Sequence, residues 1–352
     1  MGCFVQFRTE GSGRQINMRA AQRIARMAVR RLLFFAAAMV ILSILVFLVL
    51  RVLPGDQASL IAGLNSTPEQ VARLRRQLGL DRSYASQYFS WLQAVFRGDL
   101  GTSLLTGQSV AGQAAQRSQV TFPLICISLV LSALIGIPLG VSSVAARRPA
   151  VQNIYRIAAI GAAAIPALWI GLLLIMLFGR GTGIIGVLPV SGFPDDGWAS
   201  PLEAVRSLIL PAASVSVITG ASVMRYTRSG LLDVARTDYI SMSMAAGMTR
   251  REALWKTALR LVVPQLASIF GITFAGMVTG VLVVEQLFAL PGLSGMLMRD
   301  IQNRDLLAAQ SEILLLSALF FAAGLVVDIM CIITDPRLDS AGPGAGTDGA
   351  GR

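Results

Sequence analysis

Six apolar runs decide what this chain can become. They occupy residues 32–50, 120–146, 157–178, 208–224, 265–284 and 308–334, and most reach or approach the roughly 20 apolar residues an α-helix needs to cross a bilayer core about 30 Å thick. A 54% hydrophobic content with only 14% charged residues and a mean hydropathy of +0.66 leaves too little polar surface for a pair of soluble domains. The expected fold is all-α: a polytopic membrane protein with six transmembrane helices.

The stretches between the runs give the expected organisation. Residues 1–31 form an arginine-rich N-terminal tail and 32–53 the first span; 54–119 are mixed and amphipathic, long enough for a small external helical subdomain. Residues 120–334 hold the remaining five spans, with a polar loop at 225–264, and the Gly/Ala/Pro-rich segment 335–352 is expected to be a disordered tail. Within 54–119, Thr67 before Pro68 with Gln70 following predicts a helix start, and Gly79 its end. Tyr84, Tyr88, Trp91, Leu92 and Val95 predict a second helix whose aromatic stripe packs in a core or against headgroups. Pro166 lies near the middle of the third run, and Gly276 and Gly280 have the small-xxx-small spacing that suits close helix packing.

The formal charge of +11 could suggest nucleic acid, but in a membrane protein excess Arg and Lys marks cytoplasmic loops. Three basic residues (Arg147, Arg148, Arg156) lie in 147–156 and seven (Arg225, Arg228, Arg236, Arg250, Arg251, Lys256, Arg260) in 225–263. The loops at 179–207 and 286–308 carry two each: Arg180 and Arg206, then Arg299 and Arg304. That bias places both termini and the 225–264 loop in the cytoplasm.

Several chemistries are excluded outright. The chain has no histidine, hence no imidazole metal site, triad or proton relay. Cys3, Cys126 and Cys331 are too scattered for a disulfide framework or a metal site. Lys256 is the only lysine and follows Trp255, so no phosphate-binding G-x-x-x-x-G-K-[ST] loop exists. Neither a cofactor nor a catalytic residue is expected.

The loop from Arg225 to Pro264 has a helix–glycine–helix grammar. Thr237 can cap a first helix with Asp238 in its first turn, and Gly247 stops it. Thr249 and Glu252 have capping-box spacing at the start of a second helix running to Pro264. A glycine turn before an arginine-bearing helix also suits a DNA-binding helix-turn-helix. A loop of about forty residues pinned between two spans is poorly placed to reach a duplex, so no nucleic-acid partner is expected. Glu285 and Glu312, at span ends, are expected near the outer interface, where charge is cheap.

Taken in order, the motifs resemble the inner-membrane permease subunits of ATP-binding-cassette importers, in the dipeptide, oligopeptide and nickel branch. The likeness runs through Arg51-Val52-Leu53-Pro54-Gly55-Asp56, Leu78-Gly79-Leu80-Asp81, Gln87-Tyr88 and Arg97-Gly98-Asp99-Leu100-Gly101. It continues in Glu285-Gln286-Leu287-Phe288, Pro291-Gly292-Leu293 and Asp335-Pro336-Arg337. The loop matches the family's EAA-type element at Asp238-Tyr239, Ala245, Gly247, Arg250-Arg251, Ala258-Leu259-Arg260 and Pro264. It departs from it in having Ser241, Met242, Ser243, Met244 and Ala246 where basic residues are common before the glycine.

The resemblance implies a non-catalytic subunit that imports peptides or similar small solutes. Its implied partners are membrane lipid, a second homologous permease, two ATPase subunits that bind the ATP, and an external substrate-binding protein. ATPase coupling would fall to Asp238, Tyr239, Ala245, Ala246, Gly247, Thr249, Arg250, Arg251 and Glu252. Glu285, Phe288, Pro291 and Gly292 are the candidates for the translocation path or its gate. The competing class is a self-contained ion-coupled carrier, which would want carboxylates deep in its spans and an internal repeat. No clear repeat relates the two halves.

Overall fold

A computed structural model describes residues 10–334 except 53–56, 63–66, 78 and 104–105. The expected disordered tail at 335–352 and the Asp335-Pro336-Arg337 motif lie outside the described residues. The elements are α1 (Glu10–Val52), α2 (Gln57–Ala62), α3 (Pro68–Gln77), α4 (Tyr84–Phe96), α5 (Val110–Ala145), α6 (Pro149–Ala164) and α7 (Ala167–Phe178). They continue as α8 (Pro201–Ala235), α9 (Asp238–Ala245), α10 (Arg250–Ala253), α11 (Leu259–Gly280), α12 (Leu282–Leu287), α13 (Leu293–Gln302) and α14 (Leu306–Thr334). A π-helical turn, Leu254–Ala258, joins α10 to α11.

Among the described residues five helical segments are long and apolar enough to cross a membrane: Val29–Arg51, Val110–Ala145, Pro201–Ala235, Arg250–Val278 and Leu306–Val327. The bent pair α6–α7 makes a sixth if counted as one span. The sequence predicts one helix through 157–178; instead the chain turns by 99° between α6 and α7. Pro166 has no N–H to continue the ladder and its ring forces Ile165 out of the helical region, to ψ 127°. Pro123, Pro138, Pro211 and Pro264 are carried inside α5, α8 and α11 without ending them. The expected stop at Pro264 is therefore corrected: the second helix of the polar loop runs on as α11 into the fifth span.

The α5–α8 pair forms the spine. A Cβ on Gly136 would lie 2.6 Å from the Gly220 carbonyl oxygen, and one on Gly140 2.6 Å from Thr227 Cβ, so the two backbones meet where only glycine fits. Ser132 is hydrogen-bonded to Thr219 across this seam. At one end of the spine Leu124, Leu208, Leu210, Val278, Val281, Val284 and Phe288 pack together. At the other, Val141, Val144, Leu231, Ile240, Leu254 and Val262 do so. Gly276 and Gly280 face open space; the close approach occurs at Gly271, where a side chain would overlap Val327 of α14.

The helices after the first span fold back onto the bundle. Thr67 and Gln70 cap α3 reciprocally, with N–H···O distances of 2.9 and 3.3 Å. On α4, Tyr88 bonds Ser43 of α1 at 2.8 Å, and Trp91 Nε1 donates to Ser311 Oγ of α14 at 3.2 Å. Phe47 stacks edge-on against Tyr88, 5.4 Å between centroids. Tyr88 and Trp91 are thus half-buried packing residues, while Tyr84, Phe89 and Phe96 on the same helix are exposed. Exposed Leu33, Ile41 and Leu48 on α1, with Ile157 on α6 and Leu173 and Met176 on α7, give the bundle the apolar exterior a bilayer requires.

Candidate functional site

Two constructions stand at opposite ends of α8. The first follows its C-terminus. Thr237 does not cap α9 with its side chain, as the sequence suggests; its hydroxyl turns back and donates to the Val234 carbonyl at 2.6 Å. After α9, Gly247 takes a φ of +93°, a conformation that favours glycine because a Cβ would crowd the carbonyl. The turn closes by Gly247 N–H donating to Met244 O at 3.0 Å and Met248 N–H to Ser243 O at 3.2 Å. The capping box forms as predicted: Glu252 N–H donates to Thr249 Oγ1 at 3.3 Å and Thr249 N–H to Glu252 Oε2 at 3.0 Å.

Buried Ile240, Ala253, Leu254 and Ala258 anchor this hairpin on Val141, Val144 and Leu231 of the spine. The tip itself is bare. Asp238, Tyr239, Ala245, Ala246, Gly247, Thr249, Arg250, Arg251 and Glu252 are all exposed, with Met242, Met244 and Met248 among them. A rigid base and an exposed tip suit a contact that transmits force. Thr249→Ala removes the cap, and a loss of about 1 kcal/mol in local helix stability is expected. Faster hydrogen exchange at the amides of α10 is the readout; unchanged exchange there would remove the capping role.

The second construction lies between α12 and α13. Glu285, only 1% exposed, accepts hydrogen bonds from Thr121 Oγ1 at 2.6 Å, Ser294 N–H at 3.0 Å and Gly295 N–H at 3.2 Å. Thr121 Oγ1 in turn accepts from Leu293 N–H at 2.9 Å. The first three amides of α13 are thereby satisfied from outside the helix, and the carboxylate sits at the end where the helix dipole favours negative charge. A side chain at Gly292 would overlap the Glu285 carboxylate. Phe288 is buried beneath Gly171 of α7, and Ala289 holds the left-handed φ of 48° that swings the chain toward Pro291. Neighbouring polar groups are buried too: Ser103 Oγ donates to Asp305 Oδ2 at 2.8 Å, and Glu312 is 3% exposed. Glu285 and Glu312, expected near the outer interface, are both buried within the protein.

Residues 132–340 match the family described as the binding-protein-dependent transport system inner membrane component, and residues 24–125 match the N-terminal family of the same transport-system membrane components. The chain belongs to this permease family. It is 35% identical over 304 residues to a protein of Brucella abortus named as a peptide transport system permease, covering 85% of this chain and 94% of that one. It is 32% identical over 314 residues to a Sinorhizobium fredii protein named as a peptide ABC transporter permease, with 88% and 97% covered. A glutathione transport system permease protein of Salmonella choleraesuis is 30% identical over 309 residues, again with 88% and 97% covered.

The permease is therefore a multi-pass inner-membrane component of an ABC importer. Its fold brings Glu285 and Gly292 into direct contact and Phe288 into the adjoining core, while the nine hairpin residues lie at the far end of α8. Sequence reasoning missed Thr121, which completes the α13 cap: it is 164 positions from Glu285 and looks like any polar residue of a span. The signal available was Gly292 and Gly295 flanking a helix start with no local capping side chain.

Proposed function

We propose that this permease forms one half of the translocation path of an ATP-driven importer for peptides or similar small solutes. A second homologous permease would supply the other half, two ABC ATPases would bind and hydrolyse the ATP, and an external binding protein would deliver cargo. The carrying observation is the hairpin at Asp238–Glu252: exposed at its tip, closed by the Gly247 turn, capped at the start of α10 and anchored on the spine. The peptide names of the relatives support the cargo class, as does the absence of histidine, which disfavours a bare transition metal held by imidazole.

Both termini and the hairpin face the cytoplasm on this reading, in line with the basic loops. Closure of the ATPases presses on the Gly247 turn. The 35 residues of α8, about 50 Å of continuous helix, then carry the displacement to the outer end. There the α12–α13 turn, with Glu285, Phe288, Pro291 and Gly292, serves as the gate, and rocking against the second permease alternates access. On this reading the ATP is bound by the partner ATPases and the permease needs no cofactor of its own. Affinity purification from membranes containing all the subunits tests the assignment. The ATPases are expected to be retained by the intact permease and lost when residues 241–249 are replaced by a flexible Gly/Ser linker. Equal retention by both would overturn the coupling role.

A further inference from the structure

The loop between α7 and α8 and the start of α8 border a half-open pocket of about 330 Å³, at the low end of the 300–1,000 Å³ typical of small-molecule sites. Its charged lining is Arg180, just after α7, with Glu203 and Arg206 from the first turns of α8, and Phe193 and Pro194 add apolar lining. All three charged side chains are exposed, and none makes an ion pair or a side-chain hydrogen bond with another described residue. Asp195 and Asp196 follow Pro194 without lining the pocket, and Asp196 is engaged by the Ser200 hydroxyl.

The walls are fixed rather than loose. Arg180 N–H donates to Leu188 O at 2.7 Å, and Gly192 N–H donates to Phe288 O at 2.9 Å, which ties the pocket to the α12–α13 turn. Trp198 packs on Phe193 with 5.8 Å between ring centroids and donates through Nε1 to Gln119 O at 2.8 Å. Two guanidiniums without a protein partner among the described residues favour an anion, and the planar fork of arginine fits a carboxylate with two parallel bonds. Glu203 narrows the choice. It opposes a doubly charged phosphate but pairs with an ammonium, so the lining complements a ligand carrying one carboxylate and one amine.

We infer that this pocket is a subsite on the permease itself for the terminal charges of a short peptide, with Arg180 and Arg206 receiving the carboxylate and Glu203 the ammonium. The inference rests on the importer reading for how the ligand arrives, and it adds that the permease reads cargo directly. The Gly192–Phe288 bond would pass occupancy to the gate.

The test uses the assembled permease–ATPase complex in lipid nanodiscs without binding protein, titrated with a radiolabelled tripeptide. Saturable binding is expected, weakened at least tenfold for the C-terminal amide and for Arg206→Gln or Arg180→Gln. N-acetylation is expected to weaken binding to the native complex but not further in Glu203→Gln. Equal binding of acid and amide, or no saturable binding, would overturn the subsite. So would arginine variants that lose only the binding protein, because the pocket would then be a docking contact. If the native complex transports the tripeptide with ATP and binding protein yet binds none alone, only the subsite fails. If it transports no peptide at all, the importer reading fails instead.

Discussion

Glu285→Ala is expected to destabilise the permease by roughly 3 kcal/mol or more, because the amides of Ser294 and Gly295 and the Thr121 hydroxyl lose their acceptor inside a buried turn. Each stranded donor costs about 1–3 kcal/mol, and the helix dipole loses its compensating charge. Glu285→Gln keeps one oxygen as an acceptor but turns an NH2 toward groups that themselves donate, so an intermediate loss is expected. Thermal unfolding of the purified permease should rank native above Glu285→Gln above Glu285→Ala. Gly292→Ala gives a sharper check, since its methyl group would overlap the same carboxylate. Its cost is expected to be large in the native background and small once Glu285 is alanine, the non-additivity of two residues sharing one space. Additive losses would show that the clash is not what fixes glycine at 292.

The second large effect is expected at Gly247. A Cβ there meets no neighbour within 4 Å, so the restriction is conformational: φ is +93°, which an L side chain adopts at a cost of about 1–2 kcal/mol. Gly247→Val is expected to shift the turn and, with it, the placement of Ala245, Ala246 and Arg250 at the tip. A misplaced contact worth about 1.4 kcal/mol weakens ATPase association tenfold, and coupled transport should fall at least that far. Helical content and membrane insertion are expected to be unchanged, because the hairpin base on Leu231 and Leu254 does not involve the turn. Gly161→Ala in α6, a helical position with open space around it, is the neutral control. Native transport by Gly247→Val would remove the hairpin from the coupling path.

What could be read from the sequence follows from the range of each interaction. The apolar runs and the Thr249–Glu252 box are local, set by residues within one or two turns of each other, and apart from the run at 157–178 they appear as predicted. The orientation expected from the basic loops rests on composition alone. The α13 cap could not be read, because its two side chains come from α5 and α12 and only folding brings them together. Proline shows the middle case. Pro166 breaks a span and Pro264 does not, yet both sit in apolar surroundings; the outcome depends on whether neighbouring helices hold the flanking turns in line. Gly276 and Gly280 had the right spacing for a close contact, but α14 meets α11 at Gly271, on a part of the helix that spacing alone did not single out.

The most direct test of the whole account is uptake of a labelled short peptide into proteoliposomes. The permease is reconstituted with its partner permease, the ATPases and the binding protein, and each component is omitted in turn. Uptake that requires ATP and the ATPases, and that persists when ion gradients are collapsed, is the predicted result. Accumulation driven by an ion gradient through this chain alone, without ATPase or ATP, would contradict it.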